Sequence, residues 1–158
     1  MEFRDVIYSR RSVRKYSSKE VPDDILEEII QAGLAAPSAV NLQPWYFVVI
    51  KSSRERRRFD EVMDRVGDRV KEELEGRFPN HPDTVKESQE FIRSMGGAPV
   101  VILGFCYKDD YQNYSDDALE SVSAAMENML LCACDNGLGG CWLTAPIQAG
   151  AAADILRQ

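Results

Sequence analysis

Apolar residues recur at helical spacing over Ile25, Leu26, Ile29, Ile30 and Leu34, which predicts an amphipathic helix packed on a core. Pro22 stands at its first turn, and Asp23 and Asp24 complement its positive end. A shorter helix is expected over residues 2–9, with Phe3, Val6 and Ile7 on one face. Two continuous apolar runs bounded by turn residues, 45–50 and 100–105, read as buried strands. A third short strand is expected at Cys141, Trp142 and Leu143, after the glycine-rich turn at Gly137, Gly139 and Gly140. Asp117 and Glu120 have capping-box spacing ahead of a long helix ending at Asn136. Its small residues and Met126, Met129, Leu130 and Leu131 make it apolar around much of its circumference, as a central or interfacial helix would be.

The intervening segments are more polar. Ser52 or Ser53 caps a helix carrying Arg54, Arg56, Arg57 and Arg58, whose charges Asp60, Glu61 and Asp64 balance, so that run reads as a solvated face. Residues 68–93 are charged and interrupted by Gly76, Pro79 and Pro82. They predict two short helical pieces with too few apolar residues for a core, suited to covering a site as a lid. A final helix starts near Ala152.

One connection carries unusual chemistry. Between the 25–34 helix and the 45–50 strand, Pro37 and Pro44 deny the backbone a helix, while Ser38, Asn41 and Gln43 offer donors and acceptors together. Such a loop suits a ligand whose edge presents both kinds of partner. Pro, Ser and Asn are also the ordinary material of connections. Upstream, Arg10, Arg11, Ser12 and Arg14 form a positive cluster at a helix-to-loop junction, where guanidinium forks and a hydroxyl can hold a phosphate, although a solvated surface run is the commoner fate of such charges. Tyr107, Tyr111 and Tyr114 lie in a polar stretch where aromatics can stack on a planar ligand.

Composition narrows the classes. At 158 residues and 44% hydrophobic, one domain with a sizeable core is expected. The net charge of −7 disfavours nucleic-acid binding, and no apolar run approaches the length of a membrane span. The four cysteines lack disulfide-framework or zinc spacing, which fits a reduced, cytoplasmic protein. His81 is the only histidine, so a multi-histidine metal site is excluded. No nucleophile, acid or base stands out, and no metal is expected.

Arg10-Arg11-Ser12-Val13-Arg14, the Pro37-Ser38 to Asn41 and Gln43-Pro44-Trp45 run, and Gly137 to Leu143 occur in an order that resembles the FMN-dependent nitroreductase family. The resemblance implies an α+β fold, a three-layer α/β/α domain over residues 1–158 with a central, mostly antiparallel sheet flanked by helices. It implies a homodimer with FMN at the interface. Arg10, Arg11, Ser12 and Arg14 would then bind the phosphate, ribityl and pyrimidine end. Pro37, Ser38, Ala39, Asn41 and Gln43 would reach the same flavin from the other subunit. Backbone amides of Leu143, Thr144 and Ala145 would face the flavin N5. A cation near the reduced ring would stabilise its charge, with Arg14 and Arg93 as candidates.

The implied activity is ping-pong transfer of electrons from NADH or NADPH through FMN to nitro-aromatic, quinone or similar small-molecule acceptors. Family relatives that use bound flavin for reductive dehalogenation or flavin breakdown are the alternative within enzymes. A non-catalytic flavin-binding or regulatory module is the alternative outside them. The family normally continues beyond the point where this chain stops, with a further strand and a tail crossing to the partner, so its C-terminal part is expected to be absent here.

Overall fold

A computed structural model describes residues 1–51, 53–106 and 115–157. The tyrosines at 107, 111 and 114 and the cap candidate Ser52 lie outside the described residues. The element order is α1 (Phe3–Ser9), α2 (Asp23–Leu34), β1 (Trp45–Ile50), α3 (Ser53–Arg69), α4 (Lys71–Arg77), α5 (Pro82–Ser94), β2 (Val101–Cys106), α6 (Ser115–Asp135), α7 (Ala145–Gln148) and α8 (Ala152–Leu156). The α+β class expected from the sequence is the class observed. Backbone contacts resolve two compact units.

The first unit comprises residues 1–13, 20–49 and 100–142. Its base is α6, which packs against α1, α2, β2 and the turn at Ala39–Asn41. Ala118, Val122, Ala125, Met129 and Ala133 form the buried stripe of α6. Met129 and Ala133 cluster with Ile29 of α2, and Phe47 of β1 and Ile102 of β2 pack on that cluster. Gly33 lets the two helices approach, because a Cβ there would lie 2.2 Å from the Met129 Cε. Strands β1 and β2 pair as a small antiparallel sheet. They are less covered than their apolar sequences suggest, with Tyr46 61% exposed.

The second unit comprises residues 14–19, 50–99 and 143–158. Helices α3 and α5 pack side by side. Phe59, Val62, Met63, Val66 and Val70 recur at helical spacing and are all buried, as are Val85 and Ile92 of α5. Within the 68–93 stretch Val70, Val85 and Ile92 are buried, so it is as poor in core residues as expected but adds these three to the core that α3 supplies. Sparse apolar residues suffice when they share one face.

Two expectations are corrected. Helix α6 starts at Ser115, two residues before the proposed capping box, so Asp116 and Asp117 lie in its first turn and serve its dipole. The strand expected at 141–143 does not form. Pairing there is limited to an isolated parallel bridge between Ser12 and Gly140, and the chain enters the short helix α7 at Ala145.

Candidate functional site

In the first unit, the arginine cluster follows directly from the end of α1. The Arg10 N–H donates to the Val6 carbonyl at 3.0 Å, closing the last turn. Arg11 folds back, its Nη1 donating to the carbonyls of Tyr8 at 2.9 Å and Arg10 at 2.8 Å. A cation there offsets the negative end of the helix. Arg10 turns to α6, its Nε 3.4 Å from the Glu127 carboxylate. The backbone then runs alongside the glycine turn, with the Val13 N–H donating to the Gly140 carbonyl at 3.0 Å. Gly139 is the more tightly constrained of the two glycines, since Leu130 can move its tip away from a Cβ on Gly140. A Cβ on Gly139 would lie 2.8 Å from Val13, and one on Gly140 would lie 2.6 Å from Leu130 of α6. The structure thus brings together the first and last of the three segments singled out by sequence.

The middle segment is conformationally exceptional. Val40, Asn41 and Gln43 all have positive φ, at 46°, 58° and 48°. That region is uncommon for residues other than glycine and rarest for a β-branched one such as valine. Polar contacts hold it. The Gln43 N–H donates to Ser38 Oγ at 3.0 Å, and Gln43 Nε2 donates to Asn41 Oδ1, also at 3.0 Å. The Ala39 N–H donates to Ser121 Oγ on α6 at 3.2 Å. Asn41 and Gln43 are exposed, Ser38 and Ala39 are half-buried, and Pro37 is exposed. Sequence reasoning found the loop but missed Ser121. Its signal was a serine standing in register with the apolar stripe, three residues after Ala118 and four before Ala125.

In the second unit, Arg14 stacks over the Phe91 ring, its Cζ 5.9 Å from the centroid. The Tyr16 N–H donates to the Gly96 carbonyl at 3.0 Å. Arg93 lies across Gly67, where a Cβ would come within 2.6 Å of its Cγ, and its Nη2 is 2.5 Å from the Asp68 carboxylate. Thr144 precedes α7, and Ala145 is its buried first residue. Arg56, read as part of a solvated face, is instead pinned. It bonds Asp60 at 2.7 Å, the Ser94 carbonyl at 2.9 Å and the Ala98 carbonyl. Its side chain is only 18% exposed.

The cysteines are free. Partial desolvation pushes the Cys106 thiol upward, although the residue is exposed at the surface. Burial also raises Cys132, helped by the negative charges of Glu28 and Asp135 and opposed by the Asn136 amide. Both shifts suppress the thiolate. Among the described residues there is no group of three His, Cys, Asp or Glu side chains arranged to hold a metal ion, and no helix long and apolar enough to cross a membrane.

The family model "Nitroreductase family" matches residues 7–157, running through the segments of both units. The chain belongs to the nitroreductase family. A candidate NADH dehydrogenase/NAD(P)H nitroreductase of Methanothermobacter thermautotrophicus is 29% identical over 142 residues, covering 90% of this chain and 60% of the relative. The chain thus spans about 60% of the length of the first curated relatives it matches. Among solved structures, a BluB-like flavoprotein of Clostridium difficile superposes with a TM-score of 0.75 at 30% identity, covering 99% of this chain and 80% of that one. A candidate nitroreductase of Desulfovibrio desulfuricans in complex with FMN superposes at 0.69 with 27% identity, covering 96% and 73%.

Proposed function

We propose that this chain is an FMN-binding, NAD(P)H-dependent flavin oxidoreductase. The observation that carries the reading is the junction of Arg10, Ser12 and the Gly139–Gly140 turn in a chain of this family. Its donor chemistry fits a phosphate. The Arg10–Glu127 contact is partly exposed, with Arg10 31% and Glu127 46% accessible, and surface pairs are worth about 0–1 kcal/mol. A hydrogen bond to a charged phosphate is worth about 1.5–3 kcal/mol, so Arg10 can exchange the carboxylate for it. Arg11 spends two donors on the carbonyls of Tyr8 and Arg10 at the end of α1 and acts mainly as the scaffold of the junction.

Ser38, Ala39, Asn41 and Gln43 are assigned to the flavin ring edge, with Pro37 fixing the entry to their loop. Asn41 uses its carbonyl oxygen on Gln43, which leaves its amide protons for an acceptor. Arg14 and Arg93 are the two cations assigned to the reduced ring, and Asp68 offsets part of the charge of Arg93. Leu143, Thr144 and Ala145 are assigned as backbone donors. Bound FMN would supply the redox chemistry, taking a hydride from NADH or NADPH and passing electrons to a nitro-aromatic, quinone or similar acceptor in a ping-pong cycle.

A homodimer is part of the proposal. Ser121, which holds the loop, and Leu130, which meets Gly140, are nine residues apart on α6. At about 100° per residue they point to opposite sides of the helix. One flavin gripped by both groups is most simply shared by two chains. The four free cysteines suit a reducing, cytoplasmic setting.

The test is spectroscopic. Protein incubated with FMN and passed through a desalting column is expected to keep flavin absorption bands, which bleach anaerobically on adding NADH or NADPH and return on adding a quinone. Loss of all flavin on the column overturns the reading. Retained flavin that neither nucleotide reduces leaves a binding module.

A further inference from the structure

Ser121 is the buried polar side chain of the α6 stripe, 5% exposed among alanine, valine and methionine. A hydroxyl in that setting costs stability unless its hydrogen bonds are made. Both are. It donates to the Asp117 carbonyl one turn back at 2.7 Å and accepts the Ala39 N–H at 3.2 Å. The first bond aims the oxygen and the second holds the loop. This bond falls one residue before Val40 and two before Asn41, which both sit in the left-handed region. Three such residues within four positions are held only where the surroundings over-determine them. The Ser38–Gln43 and Asn41–Gln43 bonds close the loop on itself. Among the described residues, the Ser121 bond is what ties it to α6.

We infer that Ser121 is a positioning residue for the flavin, acting through Ala39 to hold Ser38, Asn41 and Gln43 in the conformation that meets the ring edge. The inference rests on the flavin reading of this loop. Alanine at 121 keeps the helix and its apolar packing but removes the tether, so the loop relaxes out of its left-handed conformations. Binding must then re-order the loop, which weakens affinity in proportion to the fraction of ordered loop lost.

The experiment compares the wild-type chain with Ser121→Ala and Ser121→Thr. Amide hydrogen exchange of residues 38–43 is measured without flavin, and FMN affinity by quenching of flavin fluorescence. The Ala variant is expected to exchange faster across the loop and to bind FMN about tenfold more weakly, with the exchange of α2 and of the C-terminal half of α6 unchanged. The Thr variant, which keeps the hydroxyl, is expected to restore most of both. A second variant attacks the same bond from the other side. Ala39→Pro removes the N–H while Ser38, at φ −135° and ψ 150°, already has the extended backbone a following proline favours. It too should weaken FMN binding. Unchanged FMN affinity in Ser121→Ala, with the wild type binding normally, overturns the inference alone, as does protection lost equally throughout the first unit. Failure of the wild type to bind FMN overturns the flavin reading and this inference with it.

Discussion

Gly96 lies so close to the carbonyl oxygen of Arg14 that a Cβ built on it would sit 2.2 Å away. Its φ of +61° already favours glycine, and the preceding residue, Met95, is left-handed as well. The tight turn after α5 therefore doubles as the seat of the segment carrying Arg14. Gly96→Ala is expected to destabilise the protein by about 2 kcal/mol or more, from backbone strain plus overpacking. Urea unfolding measures it. A midpoint equal to the wild type would show that the segment shifts freely.

Arg56 and Arg57 are neighbours in sequence and opposites in role. Arg56 bonds two backbone carbonyls and Asp60, whereas Arg57 is exposed. Arg56→Ala should cost about 2 kcal/mol, since it strips several polar groups of their partner. Arg57→Ala should stay within about 0.5 kcal/mol of the wild type. Similar denaturation midpoints for the two variants would refute the distinction.

Arg10→Ala is expected to weaken FMN binding by about 1.5–3 kcal/mol, the worth of a hydrogen bond to a charged group. Its effect on stability should be small, because the pair it loses is partly exposed and long, at 3.4 Å. Glu127→Gln removes the competing carboxylate and should tighten FMN binding. Fluorescence titration of both variants decides the matter, and a Glu127→Gln variant that binds flavin more weakly would contradict the exchange of partners.

Cys132 should resist alkylation at neutral pH. Burial and the charges of Glu28 and Asp135 raise its thiol in the folded state, so the native protein holds the proton more tightly than the unfolded chain. The resulting stability is fully present below the ordinary thiol pKa of about 8.5 and is lost as pH rises through the raised native value. Glu28→Gln removes one of the raising charges and should speed reaction with iodoacetamide at pH 8, read by mass spectrometry. Replacing all four cysteines with alanine should leave NAD(P)H oxidation intact if flavin is still bound.

Flavin binding and dimerisation should be linked. A ligand that binds only the assembled form stabilises it by mass action. Sedimentation velocity followed at the flavin absorbance should show FMN released on dilution and excess FMN favouring the dimer. A monomer carrying tightly held stoichiometric FMN would rule out a shared site.

The periodic stretches were legible from sequence because local physics decides them. Helix α2 runs from Asp23 to Leu34 as its apolar spacing and its proline predict, and β1 coincides with the apolar run at 45–50. The arginine cluster and the polar loop stood out as candidates by residue type, although the same types also build ordinary connections and solvated surfaces. Tertiary structure alone decided which polar groups were already engaged. Arg56 and Arg57 look alike in sequence, yet only one reaches the carbonyls after α5, because helix packing sets which face is inward. The strand expected at 141–143 shrank to the Ser12–Gly140 bridge because a strand exists only where a neighbour runs alongside it, and neighbours are not written in a local pattern. Ser121 was hidden for the same reason. Its role depends on a backbone N–H 82 residues away, brought to it by the packing of α2 on α6.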